Sequence, residues 1–296
     1  AEAIIDIIEA KTEDSLSLAV SQLDGTVSSF VKDVREQLIA MIAHLEVTID
    51  YPEEDIEDVT SQEVREQLEP ILKAMDELLS TANTGRLIRD GITTVIVGRP
   101  NAGKSSLMNA LLRENRAIVT DIPGTTRDSI EEYMTVEGIS LRLIDTAGIR
   151  DTQDTVEALG VERARDYINK ADIVLCVIDG STPLTPEEIE ILTSVSGLNT
   201  IVLLNKSDMA QVVTDEHIKE HGNFTAIERI SAKEGEGSAV LSKWVQELVY
   251  GGRVKQDNSA MISNVRHISL MEQAKAQVEQ ALSSIDMGMP VDFVAT

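Results

Sequence analysis

The stretch Thr93–Ser105 reads TTVIVGRPNAGKS, and the fold of the surrounding chain can be inferred from it. Its first half, Thr93–Val97, is β-branched and apolar, which predicts a buried strand. Its second half, Gly98–Ser105, fits the pattern G-x-x-x-x-G-K-[ST], which binds phosphate when it follows a strand and opens a helix. Such a loop points backbone N–H groups at phosphate oxygens, and the helix N-terminus adds partial positive charge. An ordinary strand–helix turn would not require Gly103, Lys104 and Ser105 in succession, so the sequence predicts a phosphate loop.

Two further features predict a nucleoside triphosphate bound with magnesium. Lys104 is placed to reach the β- and γ-phosphates, and the Ser105 hydroxyl is a hard oxygen ligand suited to Mg²⁺. About 40 residues downstream, a carboxylate at Asp145 can hold the magnesium through water. The Gly148 N–H can then contact the γ-phosphate and act as a hinge on hydrolysis. This second motif consists of Asp145, Thr146, Ala147 and Gly148.

The identity of the nucleotide base is predicted by the segment Asn205–Asp208, which follows the apolar run 201–204. We call this segment the base loop. A carboxylate at Asp208 can accept hydrogen bonds from the N1–H and the exocyclic amine of guanine. Adenine lacks that donor pair, so an adenine-nucleotide kinase is disfavoured. Lys206 can cover the base with its alkyl stem, and Asn205 can tie the base loop to the phosphate loop. Backbone N–H groups are expected to complete the base pocket at Ser231, Ala232 and Lys233.

The segment Gly124–Asp128 lies between the phosphate loop and Asp145. A threonine there can ligate magnesium while the γ-phosphate is present, which predicts the ordered half of a nucleotide switch. Ile149 follows Gly148, at the position where Ras-like switches carry the glutamine that orients the attacking water. Isoleucine cannot orient water. Either hydrolysis by the chain alone is very slow, or another group positions the water.

The apolar patterns predict two kinds of architecture within 296 residues. Apolar runs at Ile173–Ile178 and Ile201–Leu204 are typical of strands buried on both faces of a parallel sheet, and Leu141–Ile144 is a further strand. Helical patterns at 161–168 and 187–192 separate these strands. We predict an α/β P-loop GTPase domain with a doubly wound, mostly parallel sheet, inserted in an all-α helical domain. The predicted bounds are 1–90 and 253–296 for the helical domain and 91–252 for the GTPase domain.

The flanking regions carry apolar stripes at helical spacing. The first runs from Leu16 to Leu45 in steps of three and four, which predicts one long helix that ends near Pro52. Others cover Val64–Leu78 and Val265–Ile285. Helices of this length must pack against each other or against a partner. Both bundle packing and dimerisation along a stripe are therefore open.

The charge is strongly acidic, with 51 Asp and Glu against 26 Lys and Arg and a net charge of −25. Phosphate contacts need Lys and Arg, so the chain is not expected to bind nucleic acid strongly by itself, although a local basic patch is compatible with these counts. The densest acidic run is Glu53–Asp58, which fits either a docking surface for a basic partner or a solvated loop or helix start.

The only cysteine, Cys176, lies within the apolar run Ile173–Ile178. We expect a core residue rather than a nucleophile, in a reducing compartment, because a single thiol forms no internal disulfide. No apolar run approaches the roughly 20 residues of a membrane span, and the N-terminus is acidic where a secretory signal would be basic. We predict a cytoplasmic protein with no membrane partner. Because the chain lacks an initial Met, we also expect a fragment of a longer protein.

With these motifs assembled, the chain resembles the MnmE (TrmE) family of tRNA-modification GTPases. The resemblance covers essentially the whole chain, including Gly85–Gly91 ahead of the first strand. The related GTPase Der shares some motifs, but it has two successive G domains and no such helical flanks. Besides the phosphate loop, the matching stretches are Thr120–Asp128, Asp145–Arg150, Val156–Ala164 and Asn205–Asp208.

The resemblance implies a homodimer whose G domains meet across GTP, with potassium in place of an arginine finger. Magnesium would be held by Ser105 and Thr126. Potassium would be held by the Asn101 side chain, the carbonyls of Thr120 and Ile122, and Thr125. Glu157 would orient the water and act with Lys104 in catalysis, although by itself Glu157 reads as a solvated helix-start carboxylate. Further nucleotide contacts are implied for Ala102, Ser106, Asp121, Pro123 and Gly124.

The resemblance also implies partners. The family acts with a flavoprotein, MnmG (GidA), on the wobble uridine of certain tRNAs. There it installs an aminomethyl or carboxymethylaminomethyl group from a one-carbon folate. The family's folate-binding domain and cysteine-containing tail are not in this sequence, and the net charge of −25 agrees with tRNA binding mainly through the partner. An alternative function is a nucleotide-gated assembly switch, whose turnover only resets a conformation.

Overall fold

The computed structural model describes residues 2–50, 60–115, 131–145, 165–251 and 260–289. It divides the chain into two compact units, a helical unit (Ala1–Arg89 with Lys255–Thr296) and a sheet unit (Asp90–Val254). In chain order the elements are α1 (Glu2–Glu9), α2 (Glu13–Leu23), α3 (Thr26–Asp50), α4 (Ser61–Ser80), α5 (Ala82–Asp90), β1 (Ile92–Val97), α6 (Lys104–Asn115), β2 (Glu131–Val136), β3 (Ile139–Asp145), β4 (Ile173–Asp179), α7 (Pro186–Val195), β5 (Thr200–Asn205), α8 (Asp215–Lys219), β6 (Ala226–Arg229), α9 (Gly237–Tyr250) and α10 (Val265–Asp286).

The helical unit is organised around α4 and α10. Helix α4 begins with a capping box, in which the Thr60 hydroxyl accepts from the Glu63 N–H and the Glu63 carboxylate accepts from the Thr60 N–H. Its predicted apolar stripe is confirmed, and it packs against buried residues of α10. This packing buries one side of each helix and so stabilises both. The buried residues are Val64, Leu68, Ile71, Met75 and Leu78 of α4 and Met271, Val278 and Ile285 of α10.

The prediction of one long helix from Leu16 to Leu45 is wrong. Helix α2 ends at Leu23 and α3 begins at Thr26. Gly25 between them has a φ of +83°, a left-handed conformation that ends a helix and that glycine adopts without steric cost. The stripe is also buried only at its far end, since Met41 and Leu45 are buried whereas Leu23 is 51% exposed.

The sheet unit contains a six-stranded sheet in the order β2-β3-β1-β4-β5-β6. Only the β2–β3 pair is antiparallel. The predicted fold class is confirmed, because a mostly parallel sheet with helices is combined with a separate unit whose described regular structure is helical. Every residue of β4 and β5 is buried, as the continuous apolar runs predict. Strands β2 and β6 were not predicted, since neither shows a continuous apolar run.

The core of the sheet unit lies between the sheet and its helices and includes Cys176. The thiol is fully buried, which confirms it as a core residue. Burial, with a smaller contribution from the charge of Glu188, raises the pKa of Cys176 to about 12. No helix in the described ranges combines the length and the apolar composition that a membrane span requires.

Candidate nucleotide site

The predicted motifs in the described residues meet at one edge of the sheet. Strands β1, β3, β4, β5 and β6 are parallel, so their carboxyl ends lie at the same edge. Open α/β sheets bind ligands at this edge. The phosphate loop follows β1, and the ends of β3, β4 and β5 are Asp145, Asp179 and Asn205. Ser231 comes shortly after the end of β6.

Two glycines of the phosphate loop allow close contact with neighbouring strands. Gly98 has a φ of +149°, and a side-chain carbon there would lie 2.4 Å from the carbonyl oxygen of Val177. Gly103 has a φ of +107°, and a side-chain carbon there would lie 2.0 Å from Asn205 Nδ2. Any side chain at either position would collide and strain the backbone. The glycines of the motif are therefore required by the packing of the loop as well as by phosphate binding.

Lys104 turns back onto the phosphate loop. Its ammonium donates to the carbonyl oxygens of Gly98 at 2.7 Å and Arg99 at 2.8 Å, and the residue is buried. These bonds hold the ammonium at the loop itself, where it can donate to a phosphate oxygen. Ala102 is buried beneath the loop. Exposed positions on or beside the loop, from which a side chain can reach a ligand, are Asn101, Ser105 and Ser106.

Asn205 connects three loops. Its Nδ2 donates to the Ala102 carbonyl at 2.8 Å, and its Oδ1 accepts from the Ala232 N–H at 2.9 Å. The residue is 3% exposed, and because of these two hydrogen bonds neither polar atom of its amide is buried without a partner. The side chain therefore joins the phosphate loop, the base loop and the segment Ser231–Lys233.

Asp208 is exposed, and its carboxylate is oriented by a neighbour. Its Oδ1 accepts from the Ser231 hydroxyl at 2.9 Å. Ser231 is itself fixed, because its N–H donates to Glu236 Oε2 at 2.7 Å. The same oxygen accepts from the Ser207 hydroxyl at 3.1 Å, so Glu236 joins the base loop to the segment Ser231–Lys233. Glu236 belongs to no motif, and the sequence carries no signal for it.

Lys206 is held by a carboxylate at the end of β4. Its ammonium donates to Asp179 Oδ2 at 2.5 Å, and its backbone has a φ of +64°. Burial by itself raises the pKa of Asp179, but hydrogen bonds from Lys206 and Ser181 outweigh that effect and lower the pKa below its usual value. Asp179 was not predicted as a site residue. An acidic residue directly after a buried parallel strand is the signal that could have identified it.

Several predicted site residues lie outside the described ranges. For Asp145, the structure gives only its backbone position at the end of β3. The described residues bring together Asn101–Ser106, Asn205–Asp208 and Ser231–Lys233, and Lys233 is exposed. The predictions that fall outside concern Thr120, Asp121, Ile122, Pro123, Gly124, Thr125, Thr126, Thr146, Ala147, Gly148 and Glu157.

Solved structures similar to the chain include a G domain and a protein with a bound guanine nucleotide. The G domain of the T. maritima FeoB iron transporter is 27% identical with a TM-score of 0.40, and the match covers 53% of this chain and 98% of that one. A single-substitution variant of Aquifex aeolicus Era, bound to GDP·AlF4⁻, is 25% identical with a TM-score of 0.41, and the match covers 63% of this chain and 66% of that one.

Curated relatives of the chain include several proteins named tRNA modification GTPase MnmE. The protein from Geobacillus thermodenitrificans (strain NG80-2) is 48% identical over 295 residues, which cover 99% of this chain and 64% of the relative. Those from Clostridioides difficile (strain 630) and Bacillus subtilis (strain 168) are 45% and 43% identical, with the same two coverages. The chain thus spans less than two thirds of the length of these relatives. The family model described as MnmE helical domain matches residues 1–296, the entire chain, which therefore belongs to the MnmE helical domain family.

Proposed function

We propose that this chain binds guanine nucleotide at the carboxyl edge of its sheet and hydrolyses GTP. The observation that carries the proposal is the Asn205 side chain, which joins the phosphate loop to the base loop through Ala102 and to the base pocket through Ala232. A nucleotide has a phosphate end and a base end, and this contact fixes the loops for both ends in one geometry. The names of the curated relatives support the same activity.

Binding and catalysis would follow from the charges of the site. Lys104 and the N-terminus of α6 place positive charge where the phosphates would lie, and both would stabilise negative charge in the transition state. Magnesium fits this site, because Ser105 presents an exposed hydroxyl in the first turn of α6. Ser105 and Thr126 would hold the ion, with Asp145 acting through water. Bound magnesium would neutralise charge on the phosphates.

Guanine would be selected by Asp208. Its carboxylate is oriented by the Ser231 hydroxyl at 2.9 Å and would accept the two donors of the guanine edge. Equilibrium titration with fluorescent GDP and ADP, followed by GTP and ATP turnover, tests the proposal. We expect binding and turnover with guanine nucleotides and at least about a hundredfold weaker binding of adenine nucleotides. Equal affinities for GDP and ADP would refute guanine selection.

Hydrolysis would be stimulated by potassium through dimerisation of the sheet units. Asn101, exposed in the phosphate loop with a φ of +65°, would supply one ligand, and Thr120, Ile122 and Thr125 would supply the others. Glu157 would orient the attacking water. We expect faster GTP turnover in potassium than in sodium, and loss of turnover with nearly unchanged GTP affinity in Glu157→Ala. Equal rates in the two salts would exclude the potassium mechanism, and lost GTP binding in Glu157→Ala would show a structural role.

The GTPase cycle would act in modification of the tRNA wobble uridine, of the 5-carboxymethylaminomethyl type, with a flavoprotein partner that resembles MnmG (GidA). Homologues named tRNA modification GTPase support the process, and the net charge of −25 supports tRNA binding through the partner. Mobility-shift titrations of tRNA with the chain, the flavoprotein and their mixture test this division. We expect a shift of the tRNA band only when the flavoprotein is present. Tight tRNA binding by the chain alone would contradict the proposal that the flavoprotein carries the tRNA binding.

A nucleotide-gated assembly switch is the second candidate function. The helical unit contains an open groove of about 910 Å³, lined largely by apolar side chains of α3 and α10. Val31 and Ile39 on this groove are 44% and 48% exposed. A change in mass between GTP and GDP in static light scattering would support the switch. An unchanged mass would exclude the assembly switch, because the nucleotide state would then not alter the association of the chain.

A further inference from the structure

A network of four charges connects the phosphate loop and the base loop. Its acids are Asp179 at the end of β4 and Glu188 in the first turn of α7. Its bases are Arg99 of the phosphate loop and Lys206 of the base loop. The network contains two negative and two positive side chains. The phosphate-loop motif allows any residue type at position 99, so the motif does not account for Arg99.

Asp179 is the member that contacts both loops. Its Oδ2 accepts from the Lys206 ammonium at 2.5 Å and lies 3.7 Å from the Arg99 guanidinium. Its Oδ1 accepts from the Ser181 N–H at 3.0 Å and from the Ser181 hydroxyl at 2.6 Å. The residue is 4% exposed, so solvent screens these contacts weakly. One fixed carboxylate therefore faces a cation from each loop.

Arg99 is also held from its far side. Its Nε donates to Glu188 Oε1 at 2.9 Å, and its Nη2 donates to the Thr182 hydroxyl at 3.1 Å. Glu188 is completely buried, and its Oε2 accepts from the N–H and hydroxyl of Thr185, which caps α7. The guanidinium is thus fixed between two carboxylates. Loss of either acid would leave the partly buried guanidinium with one carboxylate instead of two and so would loosen its position.

Lys206 has a strained backbone as well as a paired side chain. Its φ of +64° lies in the left-handed region, which is unfavourable for a residue with a side chain. Three contacts hold Lys206 in this conformation. Its ammonium pairs with Asp179, and its carbonyl accepts from Gln211 Nε2 at 2.7 Å and from the Met209 N–H at 2.9 Å. The direction in which the chain leaves Lys206 sets the position of Asp208. The ion pair therefore bears on the course of the base loop as a whole and on its separation from the phosphate loop.

We propose that Asp179 is a positioning residue, which holds Lys206 and Arg99 so that the base loop and the phosphate loop keep the separation that a guanine nucleotide needs. This inference rests on the proposed function. Asp179 would act through the two cations and would not touch the base. Its loss should therefore weaken every purine diphosphate that the site binds by the same factor, and the weaker binding should come from faster release.

Stopped-flow release of fluorescent GDP and IDP tests the proposal, because inosine lacks the exocyclic amine that Asp208 would read. In Asp179→Asn we expect release of both nucleotides to accelerate by a common factor on the order of tenfold. The matched control is Asp172→Asn at the opposite end of β4, where Asp172 accepts from the Thr93 N–H at 2.9 Å. Release from this control should equal that from the unaltered chain. Asp179→Glu, which keeps the carboxylate, should restore part of the slow release.

The outcomes separate this inference from the proposed function. If the unaltered chain binds neither nucleotide, the proposed function itself fails. If it binds GDP and Asp179→Asn leaves release unchanged, or changes GDP and IDP by different factors, only the positioning role fails. Equal acceleration in the Asp172→Asn control would show a general loss of stability and would also overturn that role. Should Asp179→Asn not fold by circular dichroism, Ser181→Ala tests the same role, because it removes the hydroxyl that donates to Asp179 Oδ1 at 2.6 Å. Faster release of GDP and IDP by a common factor is expected, and unchanged release would contradict the proposal.

Discussion

A side-chain carbon on Gly103 would lie 2.0 Å from the Nδ2 atom of Asn205. That amide cannot move aside cheaply, because it donates to Ala102, its Oδ1 accepts from Ala232, and the residue is buried. The phosphate loop and the base loop can therefore meet only when residue 103 has no side chain.

Gly103→Ala should weaken nucleotide binding and destabilise the sheet unit. The added methyl group meets the Asn205 amide, and the φ of +107° is unfavourable for alanine. We expect the free energy of unfolding to fall by about 1–3 kcal/mol and GDP affinity to fall by at least about tenfold. Urea denaturation and fluorescence titration measure the two effects. Gly197→Ala is the matched control, since Gly197 has a φ of +80° and open space around it. Equal losses of GDP affinity in both variants would contradict this account.

Asp208→Asn should change base preference from guanine toward xanthine. An asparagine amide donates where the carboxylate accepts, and xanthine carries a carbonyl oxygen where guanine carries an amine. We expect GDP affinity to fall by on the order of a hundredfold or more and XDP to become the better ligand. Competition of both diphosphates against fluorescent GDP and XDP measures the preference. Asp215→Asn, which removes a carboxylate paired with Arg229, is the control and should keep the preference for GDP. An unaltered preference in Asp208→Asn would exclude base recognition by this carboxylate.

The sequence predicts the parts of the fold that depend on local pattern. Strands β4 and β5 are continuous apolar runs, and their burial on both faces follows from that composition. Strand β2 begins with two adjacent glutamates and has no continuous apolar run, and β6 has only four residues, so neither pattern distinguishes a strand from a loop. The break at Gly25 was missed because the apolar spacing continues across it, although a glycine there can end a helix.

The candidate site is predictable only where a motif fixes residue types. The motifs identify the phosphate loop and the base loop, and the Asn205 contact follows from their chemistry. The network around Asp179 cannot be predicted in this way, because its partners are distant in sequence. Asp179 and Lys206 are 27 residues apart, and Arg99 and Glu188 are 89 residues apart. Strand order and register bring these charges together, and no local pattern encodes that proximity.

Cys176 should serve as an intrinsic reporter of unfolding in the sheet unit. Its thiol is buried and its pKa is about 12, so the native protein should resist thiol reagents in mildly alkaline buffer, whereas the denatured protein should react completely. Between pH 9.0, the ordinary thiol pKa, and about 12, only the unfolded chain loses the proton, so this residue lowers stability as pH rises. A colorimetric thiol assay with and without denaturant measures the reaction. Rapid native reaction would contradict the burial of this residue.

Gly85→Ala should destabilise the helical unit. A methyl group at this position of α5 would lie 2.5 Å from the carbonyl oxygen of Ile262, a backbone atom that cannot rotate away. The backbones would have to separate, which should cost about 1–3 kcal/mol by overpacking. Thermal melting followed by circular dichroism measures the change. Asn83→Ala, an exposed position on the same helix, is the control and should melt close to the unaltered chain. An unchanged melting temperature in Gly85→Ala would show that this contact is absent in solution.

The stability contributed by Asp179 should disappear in acid. Hydrogen bonds from Lys206 and Ser181 overcome the effect of burial and lower the pKa of this carboxyl below its usual 3.8. A group whose native pKa is depressed stabilises the fold above its unfolded pKa and loses that contribution as pH falls through the native pKa. The difference in free energy of unfolding between the unaltered chain and Asp179→Asn should therefore be constant near neutral pH and shrink below about pH 4. Urea titrations of both proteins across this pH range measure the difference. Subtracting the two free energies of unfolding at each pH cancels the contribution from protonation of the other acids, which both proteins share. A difference that grows as pH falls would mean that Asp179 is not ionised in the folded protein, and the ion pairs with Lys206 and Arg99 would then be excluded.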